Sequence, residues 1–381
     1  MRTSFSSGIT LSLAMLFGGA SGLSAQALAC REGSKNSGPE AVGRLEAWPA
    51  LSEELFIGPD ARSALLADGS VVLVDRAKNE LVRIDRSSGR VMRLARHGEG
   101  PGEIKGVLAV LAGPGDTITV VDLGNHRIMR WTRSGTLVSS HPYKFLPIPT
   151  AHWQLGSELV EVARSMGARG KAEPTEMSFR ALRVDSTVVL RTLKLPDPPT
   201  ELGIFTQSGL SAPLGTSRVM LATGASPDIT VAELRGTPDR VVHLGIGEPV
   251  RTNQTMATRL VTLASTQIPE ANREATVSGM LQMVPINPTY PLFSRMVAGT
   301  SGSIWVQRTF SGADAGPKEP PVTFSLNDLS GYRWEQFSAS GTRMADCLMP
   351  QDWRVLGAIG GWVLFAKEDA ENMRLFTWYP R

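Results

Sequence analysis

The sequence predicts an all-β fold, a six-bladed β-propeller with a helical insertion, on three observations. First, residues 65–95 and 111–138 repeat one pattern: an apolar stretch, a Gly turn, a β-branched run ending in Asp, an alternating run, and a Ser-Gly turn before a short apolar run. Asp75 falls on Asp122 and Gly89 on Gly135, steps of 47 and 46 residues. Each copy has room for four short strands, and a strand-built repeat of this period is a propeller blade, not a helical solenoid. Second, four weaker units follow, around 159–184, 218–234, 302–341 and 354–379, giving six. Third, the last unit holds only three strand-like runs, at 354–358, 362–366 and 374–379, while a spare one, Leu51–Ile57, precedes the first unit. A blade takes four strands. Leu51–Ile57 is therefore expected to supply the missing outermost strand, joining both ends of the chain and hiding open sheet edges.

Taken in chain order, the first element is a leader. Met1–Ala29 has a positive start at Arg2, an apolar run at Leu11–Phe17 and cleavage-type A-x-A steps at 25–27 and 27–29. It marks the protein for export, periplasmic or extracellular, with residues 30–41 as a tail and 42–381 as the propeller. The run is too short for a permanent span, and no later window holds 18 uninterrupted apolar residues, so no transmembrane span is expected in the mature chain. Cys30 follows Ala27-Leu-Ala29, a lipobox-like step with Ala27 where Leu is usual. Three states stand open to it: a disulfide with Cys347, the only other cysteine; a lipid anchor; or a free thiol. A lipid would leave Cys347 alone, which weighs toward the bridge.

Within the units, runs such as Val71–Asp75 are almost continuously apolar, as strands between neighbouring blades should be. Gly69-Ser70 and Ser134-Gly135 are hairpin-turn material. About residues 254–283 the period changes to helical: Met256, Leu260, Leu263 and Ala264, then after Pro269 the set Ala271, Ala275, Ser278 and Leu281. A helical pair between blades 4 and 5 is expected, as a buttress of the ring or, alternatively, a lid or docking surface.

The chain has 381 residues, 42% of them apolar, which excludes wholesale disorder. Its 39 basic and 36 acidic residues leave a net charge of +3 with no basic stripe, so nucleic acid is not an expected partner.

At Arg96-His-Gly-Glu-Gly-Pro-Gly-Glu-Ile104, followed by Val120-Val-Asp-Leu-Gly-Asn-His-Arg-Ile-Met-Arg-Trp131, the chain resembles the six-bladed propellers of bacterial exported proteins related to NHL-repeat propellers. Those carry a G-x-G-x-G-P-G-E-F-like loop between the first two blades and a D-x-x-N-x-R-I-x-x-F-like strand pair. Here Ile104 replaces Phe in the first, and Asp122, Asn125, Arg127, Ile128 and Trp131 fit the second. Pro288-Thr-Tyr-Pro291 and Phe337-Ser-Ala-Ser-Gly341 are similar to segments of the same group. The resemblance implies a fold over roughly residues 50–380 and leaves activity open. It makes Arg96, His97, Glu99 and Glu103 the candidate ring-face loop. The glycines of that loop point first to backbone geometry, with Glu99 and Glu103 capping amides or pairing with Arg96. No Gly-Lys-Ser/Thr follows, so it is not a phosphate loop.

Chemistry is sparse. The five histidines, His97, His126, His141, His152 and His243, form no metal-binding spacing, and no nucleophile elbow occurs. Asp75 and Asp122 recur at one position per repeat, which points to turn amides rather than metal. Glu158 and Glu161 read as strand-surface charges, and the tryptophans as inter-blade packing, Trp153 being the least settled. No catalytic or metal residue and no cofactor is nominated. The expected function is a non-enzymatic binding or scaffold protein that recognises an envelope protein, peptide or glycan on one face of the ring. The alternative is a metal-dependent hydrolase or lyase of lactonase type, with a divalent metal at the central channel.

Overall fold

Val71–Asp75 and Ile118–Asp122 combine β-branched residues with turn residues at each end, and both form strands buried along their whole length. Such burial requires a neighbour on each face. The structure, a computed structural model, describes residues 29–32, 43–57, 62–144, 149–165, 176–195, 209–236, 238–247, 251–265, 269–289, 291–299, 302–308, 333–348, 353–359, 362–368 and 373–380. The leader expected at 1–29 lies outside this set but for Ala29.

Two amino-terminal strands, β1 (Ala29–Glu32) and β2 (Gly43–Ala47), precede the blades. Blade 1 is β3 (Ser63–Leu65), β4 (Val71–Asp75), β5 (Glu80–Ile84) and β6 (Val91–Ala95). Blade 2 is β7 (Val107–Ala112), β8 (Ile118–Asp122), β9 (Arg127–Trp131) and β10 (Leu137–Pro142). Blade 3 is β11 (Pro149–Leu155), β12 (Glu158–Ser165), β13 (Glu176–Leu182) and β14 (Thr187–Lys194). Blade 4 is β15 (Leu210–Leu214), β16 (Arg218–Ala222), β17 (Asp228–Glu233) and β18 (Arg240–His243). Blade 5 is β19 (Phe293–Ala298), β20 (Ile304–Arg308), β21 (Arg333–Phe337) and β22 (Arg343–Leu348), with β1 paired outside β22 as a fifth strand. Blade 6 is β23 (Trp353–Ile359), β24 (Trp362–Glu368) and β25 (Met373–Pro380), completed by β2. All pairings within the sheets are antiparallel. This is the expected six-bladed propeller, closed by an amino-terminal strand.

The core lies between blades. One apolar cluster joins blade 6 to blade 1 through Leu364, Leu375, Leu73 and Ile84. Others join blades 1 and 2 (Leu81, Ile104, Trp131), 3 and 4 (Phe179, Leu221), and 4 and 5 (Met220, Phe293, Phe337).

The closing strand is not the expected one. Residues 43–47 pair with β25, from Gly43 opposite Pro380 to Ala47 opposite Phe376, whereas 51–57 is not a strand. That segment is a strap. Trp48 donates its ring N–H to Thr377 Oγ1 at 2.7 Å, and its amide bonds to Leu375. Ser52 bonds the Gly89 carbonyl and the Val91 amide of blade 1, and Leu55 and Ile57 enter the blade 6–blade 1 cluster. The apolar spacing of Leu51, Leu55 and Ile57 reflects burial against two blades, not pairing.

The helical pair falls where expected: α1 (Gln254–Ala264) and α2 (Glu270–Met283) leave the ring at a neck where Arg251 pairs with Thr289. Among the described side chains, its apolar cluster is drawn from within the insertion, residues 256–286, around Ala257 and Val261. Among the described residues, no helix is long and apolar enough to cross a membrane.

Candidate functional site

The glycine-rich loop connects β6 to β7 and is held by its own side chains. Glu103 folds beneath it, accepting from the Gly100 amide at 2.7 Å and from Arg96 Nε at 2.7 Å. A Cβ on Gly98 would come within 2.1 Å of the Glu103 carboxylate, and Gly98 and Gly102 have φ of 154° and 76°. The positive φ favours glycine at both positions, and a side chain at Gly98 would also have to displace the Glu103 carboxylate. Glu99 pairs with Lys105, and His97 Nδ1 meets the Asn79 side chain at 2.6 Å. Blade 2 fastens the loop from below: Asn125 donates to the Gly98 carbonyl at 2.9 Å and Arg127 to that of Gly100 at 2.8 Å. The Gly100 amide, then Arg96, hold the Glu103 carboxyl below its usual pKa; Lys105 does the same for Glu99. Arg96, His97, Glu99 and Glu103 are thus brought together, but engaged with one another and with neighbouring turns.

The repeated aspartates serve turns. Asp122 Oδ1 accepts from the amides of Gly106 at 2.9 Å and Gly124 at 3.1 Å, and its Oδ2 from Lys105 N and Asn125 Nδ2. Asp75 Oδ1 likewise accepts from Phe56 N and Ala77 N. Each ties a turn of its own blade to an incoming connection. Among the described residues, no group of three or more His, Cys, Asp and Glu side chains is placed to hold a metal.

Sequence reasoning missed a charged ladder buried in blade 3. His152 on β11 lies opposite Glu161 on β12, which lies opposite Arg180 on β13. Trp153, Val160, Val162 and Phe179 alternate with these residues and pack toward blade 4, so the ladder occupies the face toward blade 2. There Tyr143, in the connection leaving β10, bonds His152 Nε2 through its hydroxyl at 2.9 Å. The His152 and Glu161 side chains are 0% and 3% exposed, and Arg180 pairs with Glu161. Burial, then the Arg180 charge, lowers His152 to a pKa of about 4. Burial pushes Glu161 up, with Arg180 working against it. A neutral imidazole and a carboxylate sealed from solvent can orient Tyr143 and fasten two blades; they cannot reach a ligand. The available signal was one polar residue at the middle of each of three successive strands whose flanking positions are apolar.

Tyr143 also lines the cavity beside this ladder. A cleft of about 920 Å³ opens between blades 2 and 3. Blade 2 contributes Ile128, Arg130, His141 and Pro142; the connection adds Tyr143 and Lys144. Blade 3 contributes the β11–β12 turn with Ser157 and Glu158, and the β13–β14 turn from Leu182 to Thr187. In an antiparallel four-stranded blade these two turns share one side of the ring. Arg130, Lys144, Arg183 and Asp185 are exposed, while Glu158 is half-buried and anchored by Arg235 at 2.6 Å. The wall thus alternates apolar surface, hydroxyls and both signs of charge. Trp131, Trp153, Trp305 and Trp334 are buried, Trp153 stacked on Phe179 at 5.8 Å, and none offers a flat face for a sugar ring.

No protein family model and no curated protein matches the chain. Solved structures do. A Bacteroides fragilis protein described as a candidate exported protein aligns at 10% identity over 91% of this chain and 97% of its own, with a TM-score of 0.54. A member of the DUF4221 family from Bacteroides vulgatus aligns at 10% identity over 92% and 97%, also with a TM-score of 0.54. A gluconolactonase of Xanthomonas campestris aligns at 11% identity over 89% and 90%, with a TM-score of 0.43. The two Bacteroides structures establish a shared fold and, at 10% identity, nothing further.

Proposed function

We propose that this protein is an exported, non-enzymatic binding protein of the NHL-related propeller group, and that it takes an extended peptide segment in the cleft between blades 2 and 3. The cleft carries the reading: a concave site of about 920 Å³ with apolar wall, hydroxyls and opposed charges fits a backbone with mixed side chains. A glycan is less suited to this cleft, since stacking needs an exposed aromatic face and the tyrosine that lines it, Tyr143, is buried and bonded to His152. The leader-like Met1–Ala29 supports export. The Asp122, Asn125 and Arg127 network that locks the glycine-rich loop supports kinship with the NHL-related group, because those motif residues act together.

The test is selection from a random octapeptide library displayed against the purified protein, followed by titration of the selected peptides. Replacing two exposed cleft cations, R130E with K144E, should weaken them by about tenfold or more, equivalent to ~1.4 kcal/mol, at an unchanged melting temperature. Failure to select any peptide, or equal affinity for the double variant, would overturn the assignment.

A further inference from the structure

Among the described residues, β1 alone joins a blade from outside the repeat without being needed to complete it. Blade 5 already has four strands, and β1 adds a fifth against β22. Its register is set by four successive partners: Ala29 with Leu348, Cys30 with Cys347, Arg31 with Asp346 and Glu32 with Ala345. The only two cysteines of the chain therefore stand directly opposite each other on antiparallel strands. Opposed residues on such strands have Cα atoms about 4.5–5.5 Å apart, inside the range of about 4.4–6.8 Å that a disulfide spans. A shift of one residue in either strand would lose this match.

We propose that Cys30 and Cys347 form a disulfide that clasps the amino-terminal segment to blade 5, and that this bond takes the place of a lipid on Cys30. The chain then holds its amino-terminal segment twice, by β1 on blade 5 and by β2 on blade 6. The electron pair goes to an oxidised thiol–disulfide exchange partner of the export compartment. The thiolate of one cysteine attacks the partner's disulfide and releases one partner thiol. The thiolate of the second then displaces the other partner sulfur from the mixed disulfide. Two protein thiols are oxidised, one partner disulfide is reduced to two thiols, and the two cysteine protons are taken up by the leaving thiolates. A thioether to lipid would occupy the Cys30 sulfur, so clasp and anchor exclude each other. The assignment does not depend on what the cleft binds.

The experiment uses the full chain, exported with its own leader and purified without reductant. Thiols are blocked, the protein is digested, and the peptides carrying Cys30 and Cys347 are weighed with and without reduction. The expected result is one cross-linked pair, lighter than the two reduced peptides by two hydrogens and separated by reductant, with no blocked thiol on either cysteine. Hydrogen exchange at Arg31 and Glu32 should accelerate by about tenfold or more in Cys30→Ser, the change expected when a strand end loses its tether. Two blocked thiols, a lipid-modified Cys30, or unchanged exchange in C30S would overturn the assignment.

Discussion

Acidifying the protein from pH 7.5 to pH 5 should weaken the fold through a single buried side chain. His152 has an ordinary pKa of 6.5 and about 4 in the folded chain, because burial and the adjacent Arg180 disfavour its cation. The unfolded chain therefore takes up a proton below pH 6.5 that the folded chain refuses until about pH 4. Stability is full above pH 6.5 and falls through that window. At pH 5 the linkage favours the unfolded chain by a factor of about 30, or about 2 kcal/mol, rising to about 3 kcal/mol by pH 4. Glu161 acts in the opposite sense: its raised pKa favours the protonated fold, a contribution lost as pH rises above the ordinary carboxylate range. A comparison with His152→Gln separates the two. Urea unfolding of both proteins at pH 7.5 and pH 5 should give a wild-type loss about 2 kcal/mol larger than that of the variant. Equal losses, or an imidazole that titrates near 6.5 by NMR, would refute the buried ladder.

Other substitutions probe the rest of the frame. Trp48→Ala removes the buried indole and its bond to Thr377, and should lower stability in urea by about 3–5 kcal/mol; an unchanged midpoint would mean the strap does not pin blade 6. Asp122→Ala removes the acceptor of the Lys105 and Gly106 amides and should cost about 2–4 kcal/mol. Because that carboxylate serves amides, dialysis against EDTA should leave the melting temperature unmoved, and a fall on metal removal would give Asp122 a different role.

The fold was legible because a propeller repeats. Asp75 and Asp122 mark equivalent turn corners, and the buried strands between blades read as continuous apolar runs such as Val71–Asp75. Closure by an amino-terminal strand followed from the three-stranded last unit, yet the segment was misplaced. Gly43–Ala47 has only Leu45 and Ala47 as apolar residues and owes its place to backbone pairing, while Leu55 and Ile57 owe theirs to burial. Hydropathy registers burial and is blind to an edge strand held by main-chain bonds. The cleft was invisible for a related reason: Arg130, Tyr143, Glu158 and Asp185 meet only because blades 2 and 3 stand side by side, and no local spacing encodes that. Glu161 was misread as a surface charge because its neighbours on the ladder, His152 and Arg180, lie in separate strands.

The account stands on a ring whose last blade borrows its outer strand from the start of the chain. Hydrogen–deuterium exchange on the intact protein reads this directly. The interior amides of Gly43–Ala47, with Trp48, should exchange as slowly as those of Met373–Pro380 across the sheet. Exchange at 43–48 as fast as in unpaired chain, beside a protected carboxy-terminal strand, would show a ring closed in some other way.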